Sequence, residues 1–317
     1  MIKTQKHGGQ DNNIQVKLIE DFSVTTNLLG PNQKGLKYLE DNLLSIQHYP
    51  PQDDEPFKSN LINFIFDGQK INNKILLGNG ASELIDLIIR RNESDSWRPG
   101  KSEVQFLEYE RSCQLMNKKK KGYNDTSSNL MCLINPNNPT GEYLRKDKLK
   151  EFIIKNCLEN CHVIVDESMQ LWLGENWRQD SLVSETNWIQ EMSQQKIYIY
   201  IIHSWTKIFS CTGLRYGSLI CPTQESFDSL ISYQVPWTVN IMALNYLNIC
   251  IQDKDYLINT WKETKSLREY QIKRINYLFP SWKCFGEDFL SWIWIQVDSE
   301  CIADIIYKLC KLNGTPV

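Results

Sequence analysis

The 317-residue sequence contains no apolar run near the roughly 18 residues that a membrane-spanning helix requires. Its longest β-branched stretch, Ile197–Ile202, is only of strand length. It has no excess of basic charge: 35 Lys and Arg face 38 Asp and Glu, a net of -3, which excludes a field built for nucleic acid. The opening MIKTQKHGGQDNN carries charge but no apolar centre, so it does not read as a secretory leader. Ten cysteines, about 3% of the chain, are far too few and too irregularly spaced for a disulfide scaffold. Reduced thiols in a cytoplasmic protein are the expectation. There is no internal repeat and no biased tract beyond Lys118–Lys121, which reads as a solvated loop. What remains, 41% hydrophobic and 23% charged residues, is the composition of a globular chain able to bury a sizeable core.

The length suits one large domain with a smaller one. Residues 1–20 are polar and read as an N-terminal arm, 21–238 as a large domain, and 239–317 as a connecting helix followed by a small domain that looks cut short. DFSVTTNLLGP, from Asp21, is rich in turn residues, and a helical pattern follows from about Lys34 to Ile46. Apolar strands are expected at Ile75–Leu77, Val104–Leu107, Leu130–Ile134, Val163–Val165, Ile197–Ile202 and Ser218–Cys221. Helical spacing separates several of them, at Glu83–Arg90 and Arg145–Leu158. Strands and helices in this alternation predict an α/β fold: a mainly parallel sheet flanked by helices. Beyond Pro236, a proline-free helical stretch from Val239 to about Leu278, whole or broken, leads to a strand at Phe289–Val297 and a helix at Cys301–Leu312.

In parallel sheets, ligands collect at the carboxyl ends of the strands. Four segments there carry chemistry. Gly78-Asn-Gly-Ala-Ser82 opens a helix and could hold a phosphate on free N–H groups, although such turns are usually simple caps. Asn135-Pro-Asn-Asn-Pro-Thr-Gly141 crowds three asparagines and two prolines after a strand. Asp166 ends an apolar strand, where a carboxylate needs a cationic or N–H partner. Ser204-Trp-Thr-Lys207 follows another strand, with Arg215 eight residues beyond the lysine, so an amine sits beside an anion site. Cys157, Cys161 and His162 have ligand types but no fourth partner nearby, so they read as core and no metal site is expected. His203 reads as an ordinary strand-end histidine.

GNGASE, NPNNPTG, VIVDES and SWTKIFSCTGLRYG, in this order, resemble the pyridoxal-phosphate enzymes of the class I and II aminotransferase fold. Within it the sequence is most similar to histidinol-phosphate aminotransferases and threonine-phosphate decarboxylases. The resemblance runs from about His7 to the end and implies a cofactor, pyridoxal 5'-phosphate, and roles for particular residues. Lys207 would hold the cofactor covalently and later move the α-proton of the substrate. Asp166 would pair with the ring N–H, and Asn138 would donate to the ring O3'. Phe106 would stack on the ring, with Tyr109 as the alternative. Gly80, Ala81, Ser82, Ser204, Thr206 and Arg215 would cradle the phosphate. Tyr49 would reach the cofactor of a neighbouring subunit, which implies a homodimer. For Lys207 to act as a neutral amine its pKa must be depressed, by burial and by Arg215.

The sequence departs from the family pattern twice. Met169 stands where many members have a tyrosine that bonds to O3', which moves the comparison toward the decarboxylases. No arginine follows Arg274, so the arginine that grips the substrate carboxylate in the C-terminal part of the family is not found, and Arg98, Arg111, Arg145 and Arg178 have no claim to that role. Three readings follow: an aminotransferase acting between an amino acid and a 2-keto acid, a decarboxylase or lyase on an amino acid, or a catalytically weak homologue that binds the cofactor. None involves a nucleic acid or a membrane.

Overall fold

The computed structural model describes residues 8–9, 16–68 and 74–317, so most of the expected N-terminal arm lies outside the described residues. The elements, in chain order, are α1 (Gln33–Asp41), α2 (Phe57–Phe66), β1 (Ile75–Gly78), α3 (Ala81–Arg91), β2 (Ser96–Pro99), α4 (Glu108–Leu115), β3 (Lys119–Lys120) and β4 (Leu130–Ile134). They continue with α5 (Lys146–Asn156), β5 (Cys161–Asp166), α6 (Thr186–Gln194), β6 (Ile197–His203), β7 (Gly217–Ile220) and α7 (Gln224–Ile231). Last come α8 (Ile241–Cys250), α9 (Lys254–Leu278), β8 (Lys283–Phe285), β9 (Trp294–Gln296) and α10 (Glu300–Leu312).

Seven strands form one sheet in the order β1-β7-β6-β5-β4-β2-β3. β7 runs antiparallel to both of its neighbours and the other pairings are parallel. The expected α/β class is therefore the observed one. The near-continuous apolar runs of β4, β5 and β6 follow from burial on both faces. Along β5, Val163 and Val165 enter one core while Ile164 enters the other; along β6, Ile199 and Ile201 oppose Tyr200 and Ile202 in the same way. The first core lies under α2, α5, α6 and α8, the second under α3, α4 and α7. Burying a Val or Ile here is worth about 1.5–3 kcal/mol each. Parallel pairing aligns the ends of β4, β5 and β6, so the residues after Ile134, Asp166 and His203 emerge on one edge of the sheet.

Four expectations are corrected. Val104–Leu107 is not a strand: both end residues are exposed and the segment is the approach to α4, whereas the strand is Ser96–Pro99. That strand hid in the sequence because Arg98, fully buried, donates to the carbonyls of Tyr123 and Asn156 and so behaves as a core residue. The lysine run is not wholly a solvated loop. Lys119–Lys120 is the edge strand, a position where lysine discourages further pairing, and buried Lys118 donates to Asn92 O and Ser94 O at 2.6 Å each. The helix expected through Ile46 stops at Asp41 and gives way to a 3-10 turn at Leu43–Gln47. The strand expected over Phe289–Val297 is only Trp294–Gln296, paired with Lys283–Phe285 in a two-stranded hairpin.

The long C-terminal helical stretch is broken, into α8 and α9. Asp253, between α8 and α9, turns its carboxylate to Asn32 Nδ2 (2.9 Å) and Lys34 Nζ (2.7 Å), tying the start of α1 to the break. None of the described helices is long and apolar enough to cross a membrane.

Candidate active site

Asp166 is the last residue of β5, buried and held from two sides. The Tyr109 hydroxyl donates to its Oδ2 at 2.8 Å, and the Ser168 N–H donates to its Oδ1 at 2.9 Å. Burial, and then the neighbouring Asp166 charge, push the Tyr109 phenol well above its ordinary pKa, so it stays protonated and remains a donor. Tyr109, the alternative stacking ring, thus has its hydroxyl committed to the aspartate. Phe106, one turn earlier, is half-buried and packs with Ala81 against the second core.

Lys207 lies in the turn after β6. Its amine is 3.4 Å from Ser204 Oγ, which lies 3.1 Å from Thr206 Oγ1. Burial lowers the Lys207 pKa, Arg215 lowers it further, and Asp166 and Cys211 oppose them. The turn is fastened from behind. Ser204 N donates to Ser168 Oγ at 2.8 Å, linking the β5 and β6 ends, and Cys211 N donates to Thr206 O at 2.8 Å.

Asn27 fastens it from outside the sheet. Its N–H donates to Lys207 O at 3.0 Å, and its buried amide donates to Ile208 O and Thr260 Oγ1, both at 2.7 Å. Nothing in the NLLG segment marks Asn27 by pattern. Its importance comes from a tertiary contact that joins α9 to the lysine turn.

The Gly80 turn and Arg215 meet directly. Gly80 has φ of 80°, a left-handed conformation that favours glycine, and a Cβ there would lie 2.4 Å from Arg215 Nη2. Gly217, at the start of β7, passes so close to α3 that a Cβ would meet Ala81 N at 2.6 Å. Gly80 caps α3 without any side-chain bond, leaving the first-turn N–H groups open toward Arg215. Open N–H groups at a helix start, an exposed guanidinium and two hydroxyls make a donor set for a phosphate. A buried carboxylate and a lysine with a lowered pKa sit beside it, which suits a ring cation and an aldehyde. The residues fit pyridoxal phosphate.

The scan against family models matches residues 101–299 to aminotransferase class I and II. The chain belongs to this family. Its cofactor is pyridoxal phosphate. Among curated relatives, the chain is 26% identical over 248 residues to histidinol-phosphate aminotransferase 1 of Idiomarina loihiensis, covering 73% of this chain and 64% of that one. It is 27% identical over 257 residues to threonine-phosphate decarboxylase of Salmonella typhimurium, covering 76% and 67%. Among solved structures, histidinol-phosphate aminotransferase from Sinorhizobium meliloti in complex with pyridoxal 5'-phosphate matches with a TM-score of 0.80 at 14% identity, covering 95% of this chain and 82% of that one. That likeness speaks for the fold. The chain spans about three fifths of the length of two curated relatives it matches, 58% and 64%.

Two of the expected aminotransferase positions are not joined to the lysine cluster by any contact within the described chain. Asn138 lies half-buried in the NPNNPTG turn with no side-chain hydrogen bond among the described residues, while Asn135 and Asn137 fold the turn by bonding to Leu144 and Val104. Tyr49 is 77% exposed and stacks on Trp237 at 4.5 Å. Met169 is buried and offers no donor. Arg268, on α9, is not free to grip a substrate: its guanidinium donates to the carbonyls of Phe285, Gly286, Leu290 and Trp292.

Proposed function

We propose that this chain is a pyridoxal-phosphate enzyme that moves an amino group between an amino acid and a 2-keto acid. The observation that carries the reading is Lys207: a buried amine with a lowered pKa, with Asp166 on one side and the Arg215–Gly80 cradle on the other. Bound pyridoxal phosphate supplies an electron-withdrawing ring that accepts the electron pair released at the substrate Cα.

The chain's own residues supply the rest. Arg215, the α3 N–H groups and the hydroxyls of Ser82, Ser204 and Thr206 anchor the phosphate, with Gly80 and Ala81 letting it approach. Asp166, oriented by Tyr109 and Ser168, keeps a proton on the ring nitrogen. Asn138, whose amide has no partner among the described residues, would donate to O3'. Phe106 would lie against the ring face. Lys207 Nζ, whose pKa is lowered first by burial and then by Arg215, would be the base that takes a proton from Cα and returns it. Exposed Tyr49 serves a second copy of the chain, making the working unit a homodimer.

Decarboxylation of an amino acid is the second reading, and Met169 favours it. With no hydroxyl at that position, Asn138 alone would hold O3'. The two reactions differ in which bond at Cα breaks. The test is the visible spectrum of the purified protein with pyridoxal phosphate, followed by a panel of amino acids. A cofactor band bleached by one amino acid and restored by a keto acid establishes transamination. Release of carbon dioxide without that reversal replaces it with decarboxylation.

A further inference from the structure

His203 ends β6 with only 2% of its side chain exposed, and neither Nδ1 nor Nε2 has a hydrogen-bond partner among the described residues. A neutral imidazole carries one donor and one acceptor, and leaving both dry is costly. Its Nε2 lies 3.7 Å from Glu167 Oε2, and the Glu167 side chain is 1% exposed. Glu167 accepts from Ser181 Oγ and from Leu182 N at 2.9 Å, yet no other cation pairs with it among the described residues. A dry carboxylate without a counter-charge is among the least favourable groups a fold can bury.

A proton on His203 gives Glu167 its counter-charge at Nε2, while Nδ1–H keeps no partner among the described residues. The imidazolium pairs with Glu167, and its face lies on Trp205, with centroids 4.8 Å apart and planes 17° apart, where a cation is attracted to the indole. Trp205 is itself fixed by donating Nε1–H to Ser218 Oγ at 2.9 Å. Among the described residues the other surroundings supply no competing charge. Ser218 faces His203 from β7, and Trp177 meets it edge-on. Arg178 donates to Phe64 O and Ile65 O, and Asp180 takes the Tyr143 hydroxyl and Arg145.

We propose that His203 and Glu167 form a buried ion pair that positions Asp166 and Lys207. Glu167 directly follows Asp166, and its N–H donates to Ile202 O at 2.9 Å; His203 directly precedes the Ser204 that meets Lys207. The pair therefore spans the last rungs of β5 and β6, from which the carboxylate and the amine depart. Both are positioning residues and neither reaches the cofactor site. The charge pair stands on the structure alone, whereas the positioning role rests on the function proposed above.

The test uses ¹⁵N-histidine NMR of the whole chain, which has four histidines. His162, pushed down to about 4 by burial, serves as the neutral reference near pH 7. The expected result is one doubly protonated buried imidazole at pH 7.5, assigned by its absence in His203→Asn and losing its charge in Glu167→Gln. A neutral His203 in the native chain overturns the pair. In the loaded enzyme, Glu167→Gln should lower kcat about tenfold with little change in KM, and Glu167→Gln with His203→Phe should cost less than the sum of the two. Unchanged kcat in Glu167→Gln overturns the positioning role even if the imidazolium is seen. Failure of the native chain to take up pyridoxal phosphate overturns the proposed function, and the positioning role with it, while the NMR result still decides the charge pair.

Discussion

The carboxyl edge of β5 and β6 and the C-terminal hairpin with α10 are built to different standards. At the sheet edge, Asp166, Glu167, His203, Ser204 and Thr206 are all buried, and backbone and side-chain bonds cross from strand to strand. In the C-terminal segment, α10 buries no residue, and Ile305, Leu309 and Leu312 are 49%, 52% and 67% exposed. The hairpin is held by Phe289 and Leu290, buried in the first core, by Arg268, by the Trp292 indole donating to Pro139 O at 2.7 Å, and by the close approach of Gly141 and Gly286. The residues proposed to hold the cofactor thus stand on a sheet buried on both faces, while the part that meets the NPNNPTG turn rests on one short apolar anchor and a few polar fastenings. A family that keeps one cofactor chemistry and varies its substrates has reason to divide its rigidity in this way.

Substitutions can break or sharpen this contrast. The largest effect is expected at the sheet edge. Asp166→Ala removes the counter-charge of the ring nitrogen and should lower kcat by about 10²–10³-fold with the fold intact. Steady-state kinetics and circular dichroism check it, and unchanged turnover refutes the role.

Arg268→Met comes next. It strips the donors from four carbonyls, each costing roughly 1–3 kcal/mol if left dry, so residues 285–292 should open to water instead. Hydrogen exchange should rise there and stay unchanged in β4–β6.

Lys207→Met probes the lysine without its cofactor. The folded state holds the lysine below its ordinary pKa of 10.5, so the unfolded chain binds more protons between the two values and native stability rises with pH through that window. Lys207→Met lacks this rise. It should be more stable than the native chain near neutrality, with the gap closing as pH approaches 10.5, as paired urea titrations would show. The smallest effect belongs to α10: Ile305→Lys should change stability by no more than about 0.5 kcal/mol.

The sequence made the sheet centre legible because β4, β5 and β6 are buried on both faces and are spelled in apolar residues. It misplaced β2 because Trp97 is the strand's one apolar core residue and the rest of its burial falls on Arg98 and Pro99, which no hydrophobic pattern reveals. It oversized the C-terminal strand for the opposite reason: Phe289–Val297 alternates apolar residues, but the fold buries Phe289 and Leu290 in a loop and leaves Trp294 and Ile295 exposed on the short strand. In the candidate site, the residues on strand ends and glycine turns could be read from motifs. Tyr109 as the partner of Asp166 could not, nor could Asn27 beneath Lys207 or the His203–Glu167 contact. Those roles are set by how distant segments meet, and adjacency in the chain carries no trace of them.

The central claim is that Lys207 is the amine that captures pyridoxal phosphate. Borohydride reduction of the loaded protein, followed by peptide mapping, tests it most directly. The account predicts a single phosphopyridoxyl group on the peptide containing Lys207 and none in Lys207→Ala. An adduct that persists in Lys207→Ala, or one that maps to another lysine in the native chain, would contradict it.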